Sequence, residues 1–108
     1  MKTRTELDLE LVGLKKQHSR IHEIEVLLDD TDTNTCVIFI KHPDRMTYSQ
    51  VSKFIQQDII KGIEVFVRGT YVGGDPLETI TSNDYALRSL DNAIAEIMYV
   101  KQSSLKKN

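Results

Sequence analysis

The chain has 108 residues, 40% hydrophobic and 28% charged, with 14 basic against 16 acidic side chains and a formal net charge of -2. That is the size of one domain, able to bury roughly 60–70% of its unfolded surface without a staple, and a balance that argues against a nucleic-acid binder, which carries a basic excess or stripe. The longest apolar run, Cys36 to Ile40, falls far short of a membrane span of about 20 residues, and the single cysteine leaves no internal disulfide, so the expected setting is soluble, reducing and cytoplasmic.

From Thr5 to Gln17, Leu7, Leu11 and Leu14 recur at helical spacing with Val12 beside them, Thr5 and Asp8 form a capping pair, and Gly13 weakens the helix. The opening residues turn acidic too quickly for a secretory signal. From Arg20 to Leu28 the pattern changes to period two. Glu23 and Glu25 alternate with Ile24, Val26 and Leu28, which predicts a strand with one wet face. Turn formers from Asp29 to Asn34 then join it to a second apolar run, Cys36 to Lys41, as an antiparallel hairpin.

Pro43 ends that strand, because it has no N–H to donate and holds His42 extended. Thr47 and Gln50 fit a capping box for a helix to about Gln57, its apolar face made by Tyr48, Val51, Phe54 and Ile55. Residues 58–70 read two ways. Ile63, Val65 and Val67 fit a strand, whereas Ile59, Ile63, Phe66 and Val67 fit a helix, and length decides for helix with Gly69 near its end. Tyr71 to Pro76, with Gly73 and Gly74, reads as a turn. Ser82 or Asn83 caps a long amphipathic helix to about Ser104, whose apolar face is Tyr85, Ala86, Leu90, Ala93, Ile94, Ile97 and Met98. Lys101, Lys106 and Lys107 lie towards the end of that helix, where cations suit the dipole. The expected architecture is α+β in a single domain over 1–108: an N-terminal helix in 1–18, a hairpin in 20–41 and a helical part in 47–104.

Residues able to carry chemistry are few. His18, His22, Cys36 and His42 are the conceivable zinc set, but they lack the tight ligand pairs of a Cys/His site, and Cys36 and His42 stand at opposite ends of a strand. For the same reason Cys36 has no histidine within reach as a base, unless His22 lies opposite it on the hairpin, and no oxyanion feature accompanies it. Gly73-Gly74-Asp75 lacks the glycine spacing and the Lys-Ser/Thr pair of a phosphate loop. Asp29, Asp30 and Asp32 lack the central glycine and terminal glutamate of a calcium loop. The expectation is therefore a non-enzyme with no metal and no cofactor. Tyr71, just before two glycines, either packs over the turn or stands out as an anchor for a partner. Tyr71, Gly73, Gly74 and Asp75 are the candidate partner-binding residues.

Several short stretches also carry a resemblance. Leu14-Lys15-Lys16, Ile21 to Val26, Ile40 to Arg45, an aromatic before Val72-Gly73-Gly74-Asp75, and an acidic helix start before Tyr85 follow one another in an order that resembles small proteins from the structural-gene regions of tailed phages. Those of phages and prophages of Bacteroides-like bacteria come nearest, and several are similar to tail assembly chaperones. The resemblance spans roughly residues 14 to 105. Those proteins usually carry a tryptophan before Gly-Gly-Asp, where this chain has Val72 preceded by Tyr71. The resemblance implies a protein that keeps the tape-measure protein soluble and recruits tail-tube subunits by covering apolar surfaces, through helix-in-groove docking or strand addition. The edge strand Cys36–Lys41 is apolar and needs covering. A small virion structural, decoration or packaged protein is the alternative, and a host-directed regulatory module the third; none involves nucleic acid or membrane.

Overall fold

In the computed structural model, which describes residues 1–99, the order is α1 (Arg4–Gln17), β1 (Ile21–Leu27), β2 (Thr35–Lys41), α2 (Arg45–Ile55), α3 (Ile59–Thr70), β3 (Tyr71–Gly74), α4 (Glu78–Thr81), α5 (Asp84–Ser89) and α6 (Asp91–Met98). The class is α+β, as the pattern predicts. No helix of the described residues is long and apolar enough to cross a membrane.

The expected hairpin forms, with Val26 opposite Cys36, Ile24 opposite Ile38 and His22 opposite Ile40. The turn is held by Asp29, whose carboxylate accepts from the Thr31 backbone N–H at 2.9 Å and from the Asn34 amide at 3.0 Å. The Thr31 hydroxyl, which also donates to this carboxylate, lowers its pKa most, and the Asn34 amide and the Thr31 N–H lower it further. What the pattern misses is the third strand. Tyr71 to Gly74, expected as a turn, pairs antiparallel with β2, so the sheet order is β1-β2-β3. Val72 is the extra residue of a bulge between the Phe39–Gly73 and Ile40–Tyr71 pairs. A four-residue strand with two glycines carries no period of its own. Its pairing is imposed by β2.

The sheet lies between two layers. Cys36, Ile38 and Ile40 face the helices that follow, joining Val51, Ile63, Phe66, Ile80, Leu87, Leu90 and Ile94 in the main core. Phe39 points the other way and is fully buried, and α1 packs on that side against β3 with Leu7 as its buried residue. The α1 stripe is narrower than its sequence suggests, for Val12 is exposed while Leu11 and Leu14 are half-buried.

Three helix starts show how local chemistry selects among neighbouring candidates. Thr3, rather than Thr5, caps α1 in a capping box with Glu6. Asp44, rather than Thr47, caps α2 by accepting from the Thr47 N–H at 2.8 Å, which moves the start forward and buries Thr47 in the α2–α3 crossing. Asn83 caps α5 as expected, and its amide also donates to the Leu28 carbonyl at 2.9 Å, tying the hairpin to the helical layer. Residues 59–70 are helical, which settles the ambiguous segment. Gly69 lies inside that helix against the Thr47 side chain rather than capping it.

The long C-terminal helix is two short ones. The Ser89 hydroxyl donates to the Ala86 carbonyl at 2.8 Å and to Leu27 of β1 at 3.3 Å, and the ladder tightens to an i→i+3 bond from the Leu90 N–H to the Leu87 carbonyl. The axis breaks at Leu90, Leu87 turns inward in place of Tyr85, and α6 ends at Met98. Residues 100–104 of the expected helix lie outside the described residues.

Candidate functional site

The residues singled out around the glycine pair are occupied internally. The Asp75 carboxylate is 2% exposed and accepts from two backbone N–H groups, those of Lys2 and Val37, each at 2.8 Å. Its own N–H donates to the Val37 carbonyl at 2.8 Å. Glu10 of α1 reaches across to the Gly74 N–H at 3.0 Å and takes the Lys2 ammonium at 2.6 Å on its other oxygen. Gly73 sits directly beneath Glu10 and Leu14. The Tyr71 ring packs on the core, and its hydroxyl donates to the Asp75 carbonyl at 2.9 Å; burial raises the phenol's pKa. Together the four residues clamp α1 to the sheet.

Asp75→Asn tests that clamp without changing its shape. Both carboxylate oxygens receive N–H donors, so one end of an amide would aim a donor at a donor. The variant is expected to lose about 2–3 kcal/mol in urea denaturation. An unchanged midpoint would show that the clamp carries no stability.

Of the four conceivable zinc ligands, only His22 and His42 meet, with Nε2 and Nδ1 3.1 Å apart. Cys36 lies opposite Val26, at the other end of the hairpin from His22. It is 2% exposed, and burial, aided by the charge of Asp75, pushes its thiol up to about 11. Among the described residues no three His, Cys, Asp or Glu side chains converge on a metal position. The histidine pair has a different consequence. A ring-to-ring hydrogen bond needs one unprotonated nitrogen, and burial lowers the pKa of both rings, with Arg20 and the neighbouring His42 lowering His22 further. The folded state therefore favours neutral rings. That stability is complete above the unfolded histidine value of about 6.5 and is lost as pH falls through the depressed folded values. Thermal unfolding is expected to shift downward from pH 7.5 to 5.5, with a smaller shift in His42→Asn. The Asp44 cap, whose pKa is lowered by the Thr47 bonds, acts in a separate window near and below pH 4, where its contribution is lost.

Among the described residues, the outer edge of β1 stands open. The phase of the hairpin ladder is set at its ends, where the Leu28 N–H donates to the Asn34 carbonyl and the His42 N–H to the Arg20 carbonyl. Even-numbered residues of β1 thus bond to β2, and the backbone groups of Ile21, Glu23, Glu25 and Leu27 point away from it. At the Leu27 end Ser89 covers the carbonyl. Among the described residues nothing pairs with the outward N–H and C=O groups of Ile21, Glu23 and Glu25. A groove of about 440 Å³ runs along them, closed on the other side by Ala93, Glu96 and Ile97 of α6. The edge expected at Cys36–Lys41 is instead the centre of the sheet, since β3 takes its outer side. Sequence reasoning identified β1 as a strand but placed the free edge one strand away.

Comparison with known proteins adds no constraint: no protein-family model, curated protein or solved structure matches this chain.

Proposed function

We propose that this chain is a protein-binding assembly factor, of the kind that tail assembly chaperones of tailed phages represent, working in the host cytoplasm by masking a partner's apolar surface and carrying out no turnover. The observation that supports this reading is the unpaired β1 edge with its α6-walled groove, a surface built for main-chain pairing with another polypeptide. The lone thiol is also a poor nucleophile: it is buried and held protonated at neutral pH.

The resemblance in Leu14 to Arg45 and around Gly73-Gly74-Asp75 supplies the class of partner, a tape-measure or tail-tube protein. The test is co-expression with such proteins encoded beside it. A tape-measure or tube protein that becomes soluble and co-purifies supports the proposal; one that does neither removes it. Mass spectrometry of purified particles separates a chaperone, which leaves, from a virion component, which stays.

A further inference from the structure

We infer that the β1 edge between Ile21 and Glu25 accepts an extended segment of the partner as a fourth strand, and that this segment alternates basic with apolar residues. The inference rests on the protein-binding reading above and specifies what is bound and where.

The backbone argument comes first. Ile21, Glu23 and Glu25 present outward N–H and C=O groups at two-residue spacing, about 7 Å, which matches the repeat of an added antiparallel strand. Protein sheets usually blunt such an edge with proline, a bulge or charged side chains. β1 reads Ile-His-Glu-Ile-Glu-Val-Leu and pairs in continuous register, so it has neither proline nor bulge, and its charges are the two glutamates, which select among partners rather than close the edge.

The side chains then define the occupant. Glu23 and Glu25 project towards the α1 side of the sheet, whereas His22 and Ile24 project towards α6. An added strand alternates in the same way. Its residues beside Glu23 and Glu25 meet carboxylates, and the intervening ones meet Ile24, Ala93 and Ile97. Among the described residues Glu25 and Glu96 have no ion-pair partner. Glu23 is bridged by Arg4, but Arg4 is shared with Asp8, so that trio remains net negative. Opposite charges across a strand pair stabilise it, and like charges oppose it.

The same glutamates argue against a second copy as occupant. Two β1 edges related by a two-fold axis can centre on Glu23, Ile24 or Glu25; a register centred on His22 pairs Ile21 with Glu23 but shares only residues 21–23 of the open stretch. The first register sets Glu23 against Glu23, the second Glu23 against Glu25, and the third Glu25 against Glu25. Each brings like charges face to face. The edge repels itself in the register that uses all of Ile21 to Glu25, and it admits a basic strand there.

The experiment uses the full chain, a fluorescein-labelled peptide of alternating lysine and valine, and its counterpart with glutamate for lysine. The lysine peptide is expected to bind at least about tenfold more tightly than the glutamate one, and Glu25→Lys to weaken it by a similar factor. In NMR spectra of the complex the Ile21, Glu23 and Glu25 amides should shift and become protected from exchange. Glu25→Pro is the second variant. Its lost N–H points away from β2, so the ladder keeps its bonds while the added strand loses one. Equal binding of the two peptides, perturbations mapping elsewhere, or wild-type affinity in both folded variants overturns the inference. The partner assay separates the two levels. A co-purifying partner that binds Glu25→Lys and Glu25→Pro as well as the wild type removes the strand and leaves the protein-binding reading, whereas the absence of any co-purifying partner removes that reading itself.

Discussion

Gly74→Ala is expected to remove a large part of the net stability of this protein. Gly74 has φ +97°, in the region that disfavours side chains, and a Cβ there would lie 2.5 Å from the Val37 carbonyl oxygen and 2.7 Å from the Ile38 Cα. Both obstacles are backbone of the central strand, which cannot rotate away as a side-chain end does. Left-handed backbone costs a non-glycine residue about 1–2 kcal/mol, and overpacking a close contact adds about 1–3 kcal/mol. A loss of about 2–5 kcal/mol compares with a typical total of about 5–15 kcal/mol and corresponds to a fall in Tm of roughly 10–30 °C. The damage should spread beyond β3, because the Gly74 N–H is what Glu10 of α1 binds and the next residue, Asp75, holds the Lys2 backbone. Hydrogen exchange of α1 amides should therefore accelerate in Gly74→Ala more than exchange in α3. A wild-type melting curve would show that β3 can leave β2 without consequence.

The second large effect reverses a propensity rule. Gly13 and Gly62 both sit inside helices, where alanine is intrinsically better by about 1 kcal/mol. At Gly13 an added Cβ meets nothing within 4 Å, so Gly13→Ala should gain roughly that amount. At Gly62 it would stand 2.8 Å from the Ile55 Cα and 2.9 Å from its backbone nitrogen. There α2 and α3 cross at the contact of their backbones, and a methyl group forces them apart. Gly62→Ala is expected to lose up to about 2 kcal/mol, an overpacking cost of about 1–3 kcal/mol less the helix gain of about 1 kcal/mol. Chemical denaturation of the two variants side by side is the check. Stabilisation by both would mean that the α2–α3 crossing yields freely.

The elements with their own period were legible. The Glu23 and Glu25 alternation predicts a strand with one wet face, and the structure buries Ile24 and Val26 while exposing both glutamates. Length settles residues 58–70 as helix, and Asn83 caps the helix that begins after it. What was not legible depends on which distant residue answers a local offer. Thr3, Asp44 and Ser89 each form hydrogen bonds that shift a helix boundary by a few residues, and neighbours such as Thr5 and Thr47 made equally plausible local offers. The candidate site was missed by one strand for the same kind of reason. The apolar run Cys36–Lys41 looks exposed only if nothing lies on its outer side, and Tyr71 to Gly74 does.

The linear order of residues by itself determined the class α+β, the hairpin and the faces that are wet or apolar, since period and turn chemistry act over neighbouring residues. Only the tertiary structure decided that Gly73-Gly74-Asp75 is a clamp beneath α1, that the last helix breaks at Leu90, and that the open edge is β1. Those outcomes are set by hydrogen bonds between segments as far apart as Lys2 and Asp75, and such partners are chosen by the whole folded chain.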